Sequence, residues 1–200
     1  MTTESTAPKR FNDTGRRGFD CILGNPPWER VKLQEKEWFA ERVPEIANAP
    51  NAAARGKMIK ALETDRPELY QRFLDDVRAA EAASAFMRGS GRYPLCGRGD
   101  VNLYTVFAES MRDGVSEIGR VGCVVPSGIA TDDTTKFFFQ DLVDRAALVS
   151  LFDFENAAPL FEAVDSRMKF ACVTLRAPAV DEKAAAKAPP AEFVFFAHRV

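Results

Sequence analysis

The chain has very little histidine. His198 is the single histidine among 200 residues, whereas a zinc site or a Ser-His-Asp triad needs histidine as a ligand or a base. The four cysteines are far apart and form no Cys-x-x-Cys pair. We therefore expect no metal site and no serine-hydrolase chemistry. Because three of the cysteines lie in apolar runs, we expect reduced, buried thiols.

Long apolar runs and a strong charge of either sign are also absent. The first 18 residues, MTTESTAPKRFNDTGRRG, contain no apolar signal core, and no later apolar run reaches membrane-spanning length. These absences predict a cytoplasmic protein without a membrane partner. The formal net charge of −2 neither supports nor excludes nucleic acid as a partner. An apolar fraction of 46% is ordinary for a globular domain.

The most informative stretch reads FDCILGNPPWER and begins at Phe19. Its first half is a run of apolar residues compatible with a strand, and this run stops at Gly24, where turn residues begin. The pattern predicts a short buried strand that contains Phe19, Cys21, Ile22 and Leu23.

The second half of this stretch predicts a stiff corner. Pro26 and Pro27 each fix φ and lack an N–H group, and Pro26 also favours an extended conformation at Asn25. The corner is therefore poor in hydrogen-bond donors and rich in acceptors, with the flat ring of Trp28 beside it. Such a corner suits a planar ligand that carries an NH2 group. The alternative is a proline-rich turn whose tryptophan belongs to the core.

The rest of the chain alternates helical patterns with short apolar runs. Residues 35–88 have a helical pattern, with a long helix starting near Pro67, and a Gly-rich loop at 89–99 precedes a helix capped by Asp100. A further helix is predicted from Thr131 or Asp132 to Arg145. Strands are predicted at 120–126, 147–152 and 169–175, and the last two suggest an antiparallel hairpin. The alternation predicts an α/β sheet.

This pattern divides the chain into three parts. Residues 1–18 form a flexible leader, and residues 19–176 form the sheet, with a helical insertion at about 35–88. Residues 177–200 are predicted to be an Ala/Pro/Lys linker and the start of a truncated following segment. We therefore expect the chain to be a fragment of a longer protein.

Five segments in a fixed order resemble one enzyme family. They read GNPPWERVKLQEKEWF, SGRYPLCGRGDVNLY, VPSGIATDD, FDFEN and LF…KF. NPPW at the end of one strand and PSG after the next resemble the amino-methyltransferases that use S-adenosylmethionine. The ordered set is similar to adenine-specific (N6) DNA methyltransferases of the gamma-like, type IIG restriction-modification and phage-defence kind.

The resemblance implies both a fold and a function. The fold would be the second half of a Rossmann-like, S-adenosylmethionine-dependent methyltransferase sheet with a helical insertion. The function would be transfer of a methyl group from S-adenosylmethionine to adenine N6 in double-stranded DNA, within a restriction-modification or phage-defence system. A protein-glutamine or RNA-guanine methyltransferase and a non-catalytic remnant that binds DNA or a partner are the alternatives. Whether the isolated chain is active stays open.

The resemblance also implies roles for the NPPW residues. Asn25 and Pro26 would accept hydrogen bonds from the adenine N6 amino group, and Pro27 completes the catalytic corner. Trp28 would stack on the flipped base, since an enzyme that modifies a base in a duplex must extrude it. Phe161, in LFEAV, is similar in position to a second aromatic residue of the family. Phe170 is the alternative for that role.

The family's donor-binding residues have no counterpart in the chain. In the family a Gly-rich loop follows the first strand and an acidic residue binds the ribose of the donor. The Gly97–Gly99 pair follows no predicted strand, so we expect a mobile loop there. Arg92 and Arg98 are candidate DNA contacts, with a plain solvated loop as the alternative. The cofactor-binding residues are therefore unknown. The strand from Phe19 is expected to pair with the missing half or to self-associate.

Overall fold

The computed structural model describes residues 17–156, 161–162 and 165–197. It divides into two compact units, of which the second is Arg30–Arg92 and the first contains the other described residues. His198 and residues 1–16 of the predicted leader lie outside the described residues.

The first unit is built on a five-stranded sheet of the described residues. Four strands, β1, β2, β3 and β5, run parallel to one another, and β4 lies antiparallel between β2 and β3. The order across the sheet is β1-β2-β4-β3-β5. The strands are β1 (Phe19–Gly24), β2 (Val115–Pro126), β3 (Leu148–Glu155), β4 (Lys169–Leu175) and β5 (Glu192–Ala197). The predicted α/β class and the antiparallel pairing of the two late strands are confirmed.

Helices occur in both units. The second unit contains α1 (Glu35–Ala40), α2 (Pro44–Ala47), α3 (Ala52–Asp65) and α4 (Pro67–Gly89). The first unit contains α5 (Leu103–Gly114), α6 (Gly128–Thr131), α7 (Lys136–Asp144) and α8 (Glu182–Lys187). Within the described residues, no helix is both long enough and apolar enough to cross a membrane.

Three details of the helices differ from the sequence prediction. Helix α5 begins at Leu103 with Asn102 at its N-cap, rather than being capped by Asp100. The helix predicted from Thr131 or Asp132 is instead a short α6, a 3-10 turn and α7. The linker predicted within residues 177–200 contains α8, whose N-cap Asp181 accepts a hydrogen bond from the backbone N–H of Ala184 at 2.7 Å.

The strand β1 is an exposed edge, which corrects the prediction of a buried strand. Leu23 is 79% exposed and Phe19 is 50% exposed. β1 pairs only with β2 among the described strands, and alternate residues of a strand point to opposite faces. One face of β1 contacts α5, since a Cβ added at Gly24 would lie 2.6 Å from the Met111 side chain. Cys21 is exposed as well, so the expectation of buried thiols is wrong for this cysteine.

The second unit has a core of its own. The rings of Trp38, Phe39 and Phe73 pack together with centroids 4.6 to 5.2 Å apart. Trp38 also donates its indole N–H to Asp76 at 2.8 Å, which satisfies the polar atom of a buried ring. Helix α4 begins at Pro67 and buries Phe73, as the apolar spacing predicts.

Candidate functional site

The register of the sheet brings the predicted site segments to one edge. Gly24 lies opposite Cys123 in the parallel β1–β2 pair, and Phe170 lies opposite both Pro126 and Phe154. The ends of β1, β2 and β3 and the start of β4 therefore meet at the same edge. In open α/β sheets, ligands bind at the carboxyl ends of the parallel strands.

The corner after β1 presents an acceptor that no other described residue uses. Asn25 is exposed, and its side chain has no hydrogen-bond partner among the described residues. Pro26 is buried, whereas Pro27 is exposed. Two rigid prolines therefore follow an amide that no other described side chain or backbone group binds, at the edge of the sheet.

Two hydrogen bonds attach this corner to the rest of the first unit. The indole Nε1 of Trp28 donates to the Val124 carbonyl oxygen on β2 at 3.3 Å. The carbonyl oxygen of Glu29 accepts from the backbone N–H of Leu103, at the start of α5, at 2.9 Å. Trp28 is partly buried, so one part of its ring remains accessible. One bond thus holds the Trp28 ring itself, and the other holds the backbone of the residue that follows it.

The second predicted aromatic residue stands on the β4 side of the same edge. Phe161 is 52% exposed, and its ring contacts the Phe170 ring edge-on at a centroid distance of 5.4 Å. Phe170 is 4% exposed and stacks on Phe154 at 5.4 Å. Since a stacking residue needs an accessible face, Phe161 fits that role better than Phe170, which packs in the core.

The Asn25 and Phe170 sides of this edge lie on either side of β2. Asn25 follows the end of β1, and Phe170 lies two strands away and about two residues further along. Strand spacing and rise give a separation of about 12 Å between these two backbone positions.

A buried carboxylate that the sequence analysis overlooked lies at the same edge. Asp153, on β3, is 6% exposed and accepts a hydrogen bond from the Ser127 hydroxyl, directly after β2. Its other oxygen accepts from the backbone N–H of Phe196 at 3.5 Å. The pairing holds the turn after β2 to the neighbouring strands. The motifs PSG and FDFEN contain these residues, but only the register shows that they meet.

The Gly-rich loop before α5 is anchored to the helix. Glu109 is fully buried and accepts hydrogen bonds from the backbone N–H groups of Leu95 at 3.1 Å and Cys96 at 2.9 Å. Burial, and then the nearby Glu109 charge, raises the pKa of the Cys96 thiol well above its ordinary value. These contacts show that the middle of the loop is held in place, contrary to the expectation of a mobile loop.

The two candidate DNA-contact arginines lie in different units. Arg98 donates from Nε to the Pro94 carbonyl oxygen at 2.8 Å, and its guanidinium lies 4.5 Å from the Phe137 ring centroid. Arg92 is exposed and belongs to the second unit. Their contact with DNA stays a prediction.

The described residues contain no Gly-rich loop directly after a strand, the feature expected for binding the methyl donor. The glycines at 97 and 99 precede α5 but follow no strand. Gly128 follows β2, yet a Cβ added there would lie 2.5 Å from an Asp132 oxygen and 3.1 Å from the Tyr104 hydroxyl. Its lack of a side chain therefore makes room for these two groups. Burial, and then the Asp132 charge, raises the pKa of Tyr104 to about 12. The described residues also contain no metal-binding cluster of His, Cys, Asp or Glu.

Comparisons with known proteins gave structural matches only. No family model matches the chain, and no curated protein matches it by sequence. A protein of Listeria monocytogenes assigned as a class I S-adenosylmethionine-dependent methyltransferase is 15% identical with a TM-score of 0.37. That match covers 52% of this chain and 30% of the other.

Two further structures are also similar to the chain. A type I restriction-modification methyltransferase subunit from Streptococcus thermophilus is 14% identical with a TM-score of 0.35, over 50% of this chain and 21% of that one. The DrdV–DNA complex is 14% identical with a TM-score of 0.43, over 90% of this chain and 15% of that one. The chain thus spans between 15% and 30% of the length of these three proteins.

Proposed function

We propose that this chain carries the acceptor-binding part of an adenine-N6 DNA methyltransferase that belongs to a restriction-modification or phage-defence system. The observation that carries the proposal is the exposed Asn25 amide at the carboxyl end of β1, which has no hydrogen-bond partner among the described residues. A corner with no binding role has no physical need for such an acceptor between a strand and two prolines. The accessible aromatic side chains Trp28 and Phe161 at the same edge support a planar ligand.

The corner would act on the amino group of the base. The Asn25 side-chain oxygen and the Pro26 carbonyl oxygen accept the two N6 hydrogens, which draws the nitrogen lone pair out of conjugation with the ring. The lone pair then points away from the corner. When bound, S-adenosylmethionine would supply the methyl carbon there, its S–CH3 bond would break to release the thioether, and the extra N6 proton would pass to solvent. No strong general base is required, which agrees with a chain that contains one histidine.

Trp28 and Phe161 would replace the stacking that the base loses on leaving the duplex. Base extrusion costs several kcal/mol of stacking and pairing, and an aromatic side chain recovers about 1 to 3 kcal/mol per base. The cofactor of the proposed reaction is S-adenosylmethionine. The residues that would bind it are unknown, since the described residues contain no Gly-rich loop directly after a strand.

The function is tested by expressing the whole open reading frame in a host whose DNA contains no N6-methyladenine. Nucleoside mass spectrometry of the digested DNA should then show N6-methyladenine and no N4-methylcytosine. Methylation of protein glutamine or RNA guanine in its place would support the corresponding alternative enzyme. DNA binding without any methyl transfer would support the non-catalytic remnant and contradict the proposal.

We also propose that the isolated chain self-associates through the β1 edge. An edge strand offers unpaired backbone groups, and Leu23 adds apolar surface that is 79% exposed. Sedimentation velocity of the 200-residue chain should show dimers or larger species at micromolar concentration. Leu23→Lys should shift the chain towards monomer, because a charge on the edge opposes pairing.

Val180 provides a matched control for this test. It is 87% exposed and lies in the segment between β4 and α8 rather than on β1. Val180→Lys adds the same charge and should leave the sedimentation profile unchanged. A wild-type chain that is monomeric at all concentrations would contradict self-association.

A further inference from the structure

Asn156 is a polar side chain with no exposed surface, directly after the end of β3. Both ends of its amide bind the backbone of one residue. Nδ2 donates to the Phe161 carbonyl oxygen at 3.1 Å, and Oδ1 accepts from the Phe161 backbone N–H at 3.1 Å. Nδ2 also lies 3.5 Å from the Asp165 carbonyl oxygen. The donor and the acceptor of this buried amide are thus paired with backbone groups of the segment that connects β3 and β4.

These bonds determine where the Phe161 ring stands. Two hydrogen bonds to the N–H and C=O of the same residue fix its backbone in both position and orientation. The backbone N–H of Asn156 in turn donates to the Met168 carbonyl oxygen at 3.1 Å, next to the start of β4. The ring of Phe161 then contacts the buried Phe170 ring while half of its own surface stays exposed.

A residue that only closes a turn would not need this arrangement. Turn closure requires one hydrogen bond across the chain, whereas the Asn156 amide matches the donor and the acceptor of Phe161 together. Asparagine is the shortest side chain that carries a donor and an acceptor on two separate atoms. Aspartate has the same size and keeps the acceptor, but its second oxygen would face the carbonyl oxygens of Phe161 and Asp165.

We propose that Asn156 is a positioning residue that holds the Phe161 ring against the extruded base, an inference that rests on the proposed function. Asn156 itself does not touch the base. It acts through Phe161. Because the Phe161 backbone is already fixed, less conformational entropy is lost when the ring packs against the base. Trp28, held by Val124 on β2, would form the opposite wall.

The test is a double-mutant cycle on methylation of DNA by the protein expressed from its whole open reading frame. Phe161→Ala removes the stacking ring, and Asn156→Asp loosens its support at constant side-chain size. Each change should lower kcat/KM for DNA by about tenfold, the scale of one aromatic stacking contact. Because both changes remove the same function, the double variant should be no worse than Phe161→Ala alone.

The outcomes separate positioning from a merely structural role. If the losses in the double variant multiply to about 100-fold, Asn156 does not act through Phe161 and the inference is overturned. An Asn156→Asp protein with wild-type kcat/KM overturns it as well. Phe86→Ala is the matched control, since Phe86 is 56% exposed on α4, and it should retain wild-type kinetics.

A second variant keeps the test valid if Asn156→Asp fails to fold. Phe161→Leu changes only a half-exposed side chain and retains apolar contact with Phe170, so it should fold and still lose about tenfold in kcat/KM. Wild-type kinetics for Phe161→Leu would overturn the inference while leaving the proposed function intact. Absence of methylation by the wild-type protein would overturn both.

Discussion

Replacement of Asn25 by alanine should lower the rate of adenine methylation by about 100- to 1000-fold, the scale on which one preorganised hydrogen-bonding group contributes to catalysis. The side-chain oxygen of Asn25 is the acceptor that we assign to the N6 amino group. Without it, the lone pair stays conjugated with the ring and the amine remains a weak nucleophile. The quantity to measure is the single-turnover rate of methyl transfer at saturating DNA.

The conservative variant Asn25→Ser refines this expectation. A serine hydroxyl still offers an acceptor, although it lies further from the base, so the loss should be smaller than for alanine. Asn48→Ala is the matched control, because Asn48 is an exposed asparagine in the second unit. Equal rates for wild type and Asn25→Ala would remove the role that we assign to the corner. The proposed function would then lose its main support.

Replacement of Glu109 by alanine should destabilise the first unit by about 3 to 5 kcal/mol. The carboxylate accepts hydrogen bonds from two backbone N–H groups, those of Leu95 and Cys96. Burying the Glu109 carboxylate costs desolvation free energy in the wild type, and alanine removes that cost. Alanine also leaves both backbone N–H groups unpaired in the interior, and this larger penalty makes the variant less stable. Thermal unfolding followed by circular dichroism should show a fall in Tm of roughly 10 °C.

Two further variants check the origin of this loss. Glu109→Gln keeps one acceptor oxygen but turns an NH2 group towards a backbone donor, so its Tm should lie between those of wild type and Glu109→Ala. Glu117→Ala removes an exposed carboxylate from β2 in the same unit and should leave the Tm unchanged. A Glu109→Ala protein as stable as Glu117→Ala would show that the loop is not anchored through this carboxylate.

The local features of the corner could be predicted because they depend on neighbouring residues only. An apolar run that stops at a glycine predicts a strand end, and β1 ends at Gly24. Two prolines remove donors and restrict φ whatever surrounds them. The apolar spacing of the long helix from Pro67 likewise depends on helical geometry alone, and α4 begins there.

Burial was harder to predict, because it depends on which elements lie next to each other. The run FDCIL has the same composition at an edge as in the middle of a sheet, so the exposure of Leu23 and Cys21 could not be read from it. The Gly-rich loop likewise suggests mobility by composition. Glu109, at least ten residues away along the chain, holds the loop in place.

By itself the sequence determined the alternation of strands and helices, the acceptor-rich corner at residues 25–28 and the order of the segments that resemble methyltransferases. Only the tertiary structure decided which of these features share one edge of the sheet. They are the corner, the hydrogen-bonded pair Ser127 and Asp153, and Phe161 with the Asn156 amide that binds its backbone. The physical reason is that turn chemistry and periodicity act over a few residues. Strand order and register instead arise from contacts between segments that lie far apart in the chain.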